Sequence, residues 1–177
     1  MAKLSLHSTP LPWLGVAVVA LHNLEEALTG RTWLLHHGGA LKARIGVEPP
    51  SIPSLILYTA LLVVTIGPAA WVLLAYRSRP KSIGAYSLVV LFGMFFTNAF
   101  VPHLAGAIAL RGYVPGVLTA VVLVIPYFYW FAVDGLRSQR FTWLGLLLAL
   151  AVAVVIYVVA GFALLTTDCA SLVRAGA

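Results

Sequence analysis

The chain is a succession of long apolar stretches separated by short polar segments. Crossing the hydrocarbon core of a bilayer as an α-helix takes about 20 predominantly apolar residues. Stretches near that length occur at residues 11–29, 52–76, 83–110, 114–133 and 141–166. The segments between them are short, except for the one from Arg31 to Pro50. The pattern predicts an all-α integral membrane protein, folded over residues 1–177 as one bundle of five transmembrane helices.

The composition excludes a water-soluble domain. Apolar residues make up 62% of the chain and charged residues 9%, whereas soluble domains average about 45–50% and about 25%. The single cysteine, Cys169, excludes an internal disulfide framework and a cysteine-rich zinc site. The net charge of +6 comes from basic residues that stand singly or in short clusters between apolar stretches, which is typical of membrane flanks. We expect membrane lipid, and no nucleic acid, as a partner.

The distribution of lysine and arginine indicates an orientation in the membrane. Cytoplasmic segments carry an excess of these residues. The amino end and the segments around residues 77–81 and 137–140 hold six of them, and the segments on the other side hold five. This predicts that the amino end lies in the cytoplasm. The first stretch is expected to be retained, because Glu25 and Glu26 stand where a signal peptide has small residues before its cleavage site.

Three prolines fall inside predicted helices. Each proline removes a backbone donor and collides with the carbonyl four residues earlier. Kinks are therefore expected at Pro68, Pro102 and Pro126.

The last two stretches carry small and aromatic residues with distinct expected places. Small residues every fourth position let two helices approach closely, so one set is expected to form an internal packing seam or, as the alternative, a homodimer contact: Gly145, Ala149 and Ala153. Aromatic residues often lie at the membrane–water interface, and a second set is expected in such a belt: Tyr127, Tyr129 and Trp130.

The first apolar stretch contains charged residues that a membrane helix normally excludes. A charge at the bilayer centre costs at least about 2.5–3.5 kcal/mol on insertion scales, and such residues normally face the bundle interior and have partners. Residues three and four apart share a helix face, so His22, Glu25 and Glu26 form one polar stripe. The stripe is a candidate functional site.

The third stretch supplies the expected partners of this stripe. Asn98 and His103 are its strongest polar residues, and Thr97 adds a hydroxyl. The first and third spans run parallel, and the rise per residue places both polar sets in one layer. Pro102 is expected to bend the helix just before His103, which helps both side chains to face inward.

The motif His22-Asn23-Leu24-Glu25-Glu26 resembles the signature of the HXXEE-domain family. These are small bacterial multi-pass membrane proteins of unassigned function. Asn98, His103 and the turn Tyr113-Val114-Pro115-Gly116 are similar to the second block of that family. The resemblance implies a multi-span helical architecture in a bacterial cytoplasmic membrane. It implies no particular activity and so supplies no catalytic roles for these residues.

Two imidazoles and a carboxylate suit zinc, iron or manganese. His22, Glu26 and His103 are the candidate ligands of a divalent metal, a set that leaves a coordination position for water. Glu25 is then the acid–base group or an orienting residue, and Asn98 contacts substrate or water. The function favoured by these residues is a metal-dependent enzyme that acts on a lipophilic small molecule.

Two other functions fit the same residues. A buried glutamate can stay protonated at neutral pH, so Glu25 or Glu26 with a histidine can run metal-free acid–base chemistry, such as isomerisation or cyclisation of a terpenoid-like substrate. Intramembrane Glu and His chains also serve proton relays, and a lipophilic-ligand binding protein is a further possibility.

Overall fold

The computed structural model describes residues 11–45 and 54–166. These residues form helices and turns, without strands. Five long helical stretches follow one another, and the third and fourth are interrupted. The elements are α1 (Leu11–Ile45), α2 (Ser54–Ala75), α3 (Ile83–Asn98), a first π-helical segment (Ala99–Leu104), α4 (Ala105–Leu110), α5 (Val117–Thr119), a second π-helical segment (Ala120–Val124), α6 (Ile125–Arg137) and α7 (Trp143–Thr166).

The first helix continues well beyond the predicted span of residues 11–29. A connection was expected from Arg31 onward, but α1 extends to Ile45. Residues 30–45 contain no proline, so nothing in the backbone forces the helix to end at the edge of the apolar stretch. The extension is also held by a tertiary contact, because the Trp33 indole N–H donates to the Tyr113 carbonyl at 2.7 Å.

Four helical stretches among the described residues are long and apolar enough to cross a membrane: Tyr58–Ala75, Ile83–Leu110, Val117–Arg137 and Trp143–Gly161. Their outer surfaces are strongly apolar, with Leu74 exposed at 85% and Ile83 at 90%. Such surfaces suit lipid rather than water. The remaining predicted crossing lies in α1, which is not among these four, and a fifth crossing stays a prediction.

The third stretch changes direction one residue before Pro102. Val101 has non-helical dihedral angles (φ −133°, ψ 111°). Pro68 lies inside α2, and Pro126 lies in the first turn of α6, where its missing N–H is tolerated. The kinks expected at Pro68 and Pro126 stay predictions.

Small residues bring α3 and α7 together. Ala149 and Ala153 are buried, and a Cβ added at Gly93 would lie 3.0 Å from the Ala153 Cβ. Gly145 faces the ring of Tyr86 closely enough that no Cβ fits there. The three small residues of α7 thus form the expected internal seam, and the homodimer contact stays a prediction.

An aromatic core fills the bundle at the end opposite the polar stripe. Phe92 packs edge-to-face on Tyr127 and on Phe131, with ring centroids 5.2 Å apart in both pairs. The expectation that Tyr127 lies in an interfacial belt was wrong, because its ring is buried and its hydroxyl donates to the Leu11 carbonyl at 3.1 Å. The helical phase of α6 decides this, since its neighbours Tyr129 and Trp130 are exposed.

Two basic connections lie side by side at that end of the bundle. The Lys81 amide donates to the Arg140 carbonyl at 2.8 Å, and the Arg140 guanidinium donates to the Tyr76 carbonyl at 3.3 Å. The segments around residues 77–81 and 137–140, whose basic residues were counted together above, therefore lie at the same end of the bundle. Lys3 and Arg174, which also enter the count, lie outside the described residues.

Candidate metal and acid–base site

His22, Glu26 and His103 converge inside the bundle. Each offers one ligand atom, and the three atoms lie within 4.8 Å of one another. Glu26 Oε1 lies 3.1 Å from His103 Nε2 and 4.0 Å from His22 Nε2. The histidines are 1% and 2% exposed, and the glutamate side chain is 26% exposed. The cluster is therefore buried on its imidazole side and open on its carboxylate side.

Helix periodicity and one backbone irregularity bring these residues together. His22 and Glu26 are four residues apart on α1 and so share one face. His103 follows the non-helical Val101, which redirects the chain before the imidazole. The two rings then pack edge-to-face with centroids 4.7 Å apart.

The hydrogen bond of His103 determines which of its nitrogens carries the proton. Its Nδ1 lies 2.7 Å from the Pro115 carbonyl oxygen. A carbonyl only accepts hydrogen bonds, so Nδ1–H is the donor. In the neutral ring, Nε2 is then the lone-pair atom, and it faces Glu26.

Glu25 orients His22 through one hydroxyl. Thr119 Oγ1 donates to Glu25 Oε2 at 2.5 Å and lies 2.9 Å from His22 Nδ1. Because the hydroxyl hydrogen points to the carboxylate, the hydroxyl oxygen accepts from the His22 Nδ1–H. His22 is thus held in the same tautomer as His103, with its Nε2 lone pair toward the cluster.

Glu25 itself is saturated with donors at the surface of the site. Its oxygens accept from the Thr119 amide at 2.8 Å, from the Leu118 amide at 3.4 Å and from the Tyr113 hydroxyl at 2.7 Å. Burial raises the pKa of the Tyr113 hydroxyl, and the neighbouring Glu25 carboxylate acts in the same direction. Tyr113 therefore remains a protonated donor at neutral pH.

Asn98 bridges the two histidines. Its amide nitrogen lies 3.2 Å from His22 Nε2 and 2.8 Å from His103 Nε2. Because both Nε2 atoms are acceptors in the tautomers above, the NH₂ group is the part of the amide that faces the rings. The amide oxygen lies 2.8 Å from the Tyr157 hydroxyl on α7, which also has the Val101 carbonyl as an acceptor at 2.5 Å. A cation bound by the two lone pairs would replace this amide as their partner.

Gly116 allows the two imidazoles to lie where they do. Its φ of +82° is in the left-handed region, which favours glycine. A Cβ there would lie 2.6 Å from His103 Cε1 and 3.0 Å from His22 Cε1. The turn from Tyr113 to Gly116 therefore closes the buried side of the site with backbone.

The donor set fits a divalent transition metal. Histidine ligands normally bind through one ring nitrogen and donate the other N–H to a carbonyl or to another acceptor, as both rings do here. Two ligands of one zinc ion, each about 2.0–2.1 Å from it, lie about 3.4 Å apart in a tetrahedral site. The two distances from Glu26 Oε1, 3.1 and 4.0 Å, lie on either side of that value, and all three ligand atoms lie within 4.8 Å of one another. Metal binding would therefore require the ligand side chains to move closer together.

The structure brings together the residues that the sequence singled out, with one exception. Glu25, Asn98 and the three candidate ligands all belong to one hydrogen-bonded cluster. Thr97 does not, because its hydroxyl donates to the Gly93 carbonyl of its own helix at 2.8 Å.

Two contributing residues were missed by the sequence reasoning: Thr119 and Tyr157. Tyr157 is the only tyrosine in the last apolar stretch, and a buried tyrosine usually seeks a polar partner. That signal was available in the sequence. Thr119 carried no comparable signal, since hydroxyl residues are common in membrane helices and usually bond their own backbone.

Comparison with known proteins places the chain in a family. A family described as proteins of unknown function with an HXXEE motif matches residues 13–131. The chain belongs to this HXXEE family. Its motif residues His22, Glu25 and Glu26 all lie in the cluster described above.

The chain is also similar to a protein of Bacillus subtilis (strain 168) named "Uncharacterized protein YrkK". The two are 29% identical over 115 residues, which is 61% of this chain and 63% of that protein. The match thus spans less than two thirds of the relative's length. No solved structure matches this chain.

Proposed function

We propose that this HXXEE protein is a metal-dependent membrane enzyme that acts on a lipophilic small molecule. One observation carries the proposal. In the tautomers set by Pro115 and Thr119, His103 Nε2 and Glu26 Oε1 both present lone pairs at a separation of 3.1 Å. The Asn98 amide bonds the His103 lone pair, but Glu26 Oε1 still lies beside an acceptor atom, so the contact favours a cation or a proton between the two atoms. A second imidazole lone pair, from His22, points to the same place.

The proposed roles follow from position. His22, Glu26 and His103 hold a divalent metal such as zinc, iron or manganese, which polarises a bound oxygen and makes bound water more acidic. Glu25 orients His22 through Thr119, which bonds the ring nitrogen of His22 that does not face the cluster. The Asn98 amide, which bonds both Nε2 atoms in the structure, would yield them to the metal and be free to meet water or substrate.

An apolar cavity supports a lipophilic substrate. A cavity of about 480 Å³ reaches Glu26 and Asn98 and is lined mostly by aliphatic and aromatic side chains of α2 and α3. Ligand sites are typically mostly apolar cavities of about 300–1,000 Å³ with a few polar groups. The functional cluster therefore opens toward a space suited to an apolar molecule.

Metal analysis of the purified protein tests this proposal. The protein, prepared in detergent from metal-supplemented cells, is expected to carry close to one equivalent of metal. His103→Ala is expected to lose it, because two ligands in a partly open site bind far more weakly than three. His36→Ala is the matched control, since His36 is exposed and outside the cluster. A metal-free wild-type protein, or equal metal in both variants, would contradict the metal site.

A metal-free acid–base enzyme is the second candidate. The 3.1 Å contact between Glu26 and His103 is also the geometry of a shared proton, and the pair borders the apolar cavity. Such a pair can protonate one atom of a terpenoid-like substrate and deprotonate another, as an isomerase or cyclase requires. Metal-free protein together with proton flux in liposomes would instead favour a proton relay, and metal-free protein without flux or turnover would favour a ligand-binding protein.

A further inference from the structure

The cavity beside the cluster is polar at one end and apolar along the rest of its length. Its polar side chains come from three helices: Asn23, Glu26, Asn98 and Tyr157. Asn23 and Asn98 take part in hydrogen bonds with Thr65 and with the histidines. The rest of the wall is apolar and ends at Trp71.

The cavity is elongated along α2. Ala60 and Trp71 both line it, and the rise of an α-helix separates them by roughly 16 Å. The Trp71 indole N–H donates to Ser87 near the start of α3, at 3.1 Å. Trp71 therefore marks the end of the cavity that lies away from Asn98, which is the last residue of α3.

Among the residues that the structure describes, no cationic side chain lines this space. Among the described residues that form its wall, Glu26 and Tyr157 are the ionisable ones. An anionic head group would thus lack a lysine or arginine partner in this wall. A divalent metal at the cluster does not change this, because the carboxylates of Glu26 and of Glu25, which is linked to His22 through Thr119, offset its two positive charges. Burying a charge without such a partner is costly.

The geometry points to an uncharged, single-chain amphiphile as the molecule bound here. Its polar group lies at Asn98, Glu26 and Tyr157, and its hydrocarbon chain extends along α2 to Trp71. This inference rests on the proposed function, because it names the substrate class of the same cluster. It adds that the reacting group is the polar end of the molecule and that the chain enters from the lipid side, since Val63 and Val64 of the wall are exposed.

A pair of brominated probes tests this assignment. Bromine at the end of a chain quenches the fluorescence of a tryptophan that it touches. Titration with 11-bromoundecan-1-ol is expected to produce saturable quenching of the protein in detergent, whereas 11-bromoundecanoate at neutral pH is not. Trp71→Phe is expected to remove the saturable part, leaving only the weak, unsaturable quenching of the other tryptophans.

Gly67→Leu is designed to fill the cavity. Gly67 lines the cavity, and a Cβ added there meets nothing within 4 Å. The larger side chain is expected to abolish saturable quenching. Gly161→Leu is the matched control, because Gly161 also has open space around its Cβ but does not line the cavity. It is expected to bind the alcohol as the wild type does.

The outcomes separate this inference from the proposed function. Equal saturable quenching by the carboxylate would overturn the assignment of an uncharged head group. Quenching that survives Gly67→Leu would show that the probe reaches Trp71 from the surrounding detergent, and would overturn the cavity assignment. Metal content is measured on the same samples and is expected to be unchanged in Gly67→Leu, so a failed metal site and a failed substrate class give different results.

Discussion

At the scale of single residues, the site depends on which nitrogen of each imidazole carries the proton. The Pro115 carbonyl fixes one ring, and the Thr119 hydroxyl, itself bonded to Glu25, fixes the other. Both arrangements turn Nε2 toward Glu26. Neither partner is a ligand atom, yet each decides whether a lone pair or an N–H faces the centre of the cluster.

Thr119→Val is expected to weaken metal binding by about 10–100-fold, the usual effect of losing a residue that orients a histidine ligand. The valine keeps the shape but removes the hydroxyl between Glu25 and His22. Titration with a competing chelator measures the affinity, and Thr119→Ser is expected to restore most of it. If Thr119 contributed only to packing, Thr119→Val would lower the stability of the protein and Thr119→Ser would not restore the metal affinity.

Thr97→Val is the matched control for that substitution. Thr97 is also a threonine in a membrane helix, but its hydroxyl bonds the Gly93 carbonyl within α3. Its loss is expected to leave metal affinity unchanged. Equal weakening in both variants would mean that Thr119 acts through general packing.

At the scale of helices, the site is assembled by one regular element and one irregular element. The 3.6-residue period of α1 aligns His22 with Glu26. The third stretch instead needs the non-helical Val101, because Asn98 and His103 would point about 140° apart on a straight helix. The scaffold behind them is the close contact of α3 with α7, which also carries Tyr157 to Asn98.

Ala153→Leu is expected to destabilise the protein by about 1–3 kcal/mol, the usual cost of adding volume to a well-packed interior. Ala153 is fully buried, and its Cβ lies beside Gly93 of α3. Ala151→Leu makes the same change on the exposed side of α7 and is expected to have little effect. Unfolding by denaturing detergent, followed by circular dichroism, measures both; equal stability of the two variants would argue against the seam.

At the scale of the whole molecule, the ends of the bundle differ in character. The connections at residues 76–82 and 138–142 carry basic residues and bond each other. The metal-ligand candidates lie toward the other end, where α1 extends beside Tyr113. If the basic end is cytoplasmic, as the positive-inside rule favours, the site lies in the outer half of the membrane.

Thiol labelling of intact cells checks this orientation. In a Cys169→Ser background, Gly112→Cys is expected to react with a membrane-impermeant maleimide in intact cells. Pro80→Cys is expected to react only after lysis. Both positions are exposed turns at opposite ends of the bundle, and neither change alters a charge. The reverse pattern would show that the amino end faces outward.

Much of this molecule follows from its sequence. The long apolar stretches predicted where the helices lie, because a segment that crosses a bilayer must be apolar and must satisfy its own backbone hydrogen bonds. The candidate ligands were found for a related reason: carboxylates in an apolar helix are too costly to be incidental. The predicted end of α1 and the predicted interfacial position of Tyr127 were wrong. Local composition shows neither that Trp33 contacts Tyr113 nor which face of α6 packs against the core.

The apolar surroundings of five polar residues in the sequence were enough to predict that they face the interior: His22, Glu25, Glu26, Asn98 and His103. Their separate roles depend on contacts that form only in the folded protein. Glu25 and Glu26 are adjacent and chemically identical, but their surroundings differ. Glu25 accepts hydrogen bonds from Thr119 and Tyr113, whereas Glu26 borders an apolar cavity. Those contacts join residues about 90 positions apart in the chain; because hydrogen bonding and desolvation act through space, no local pattern could assign them.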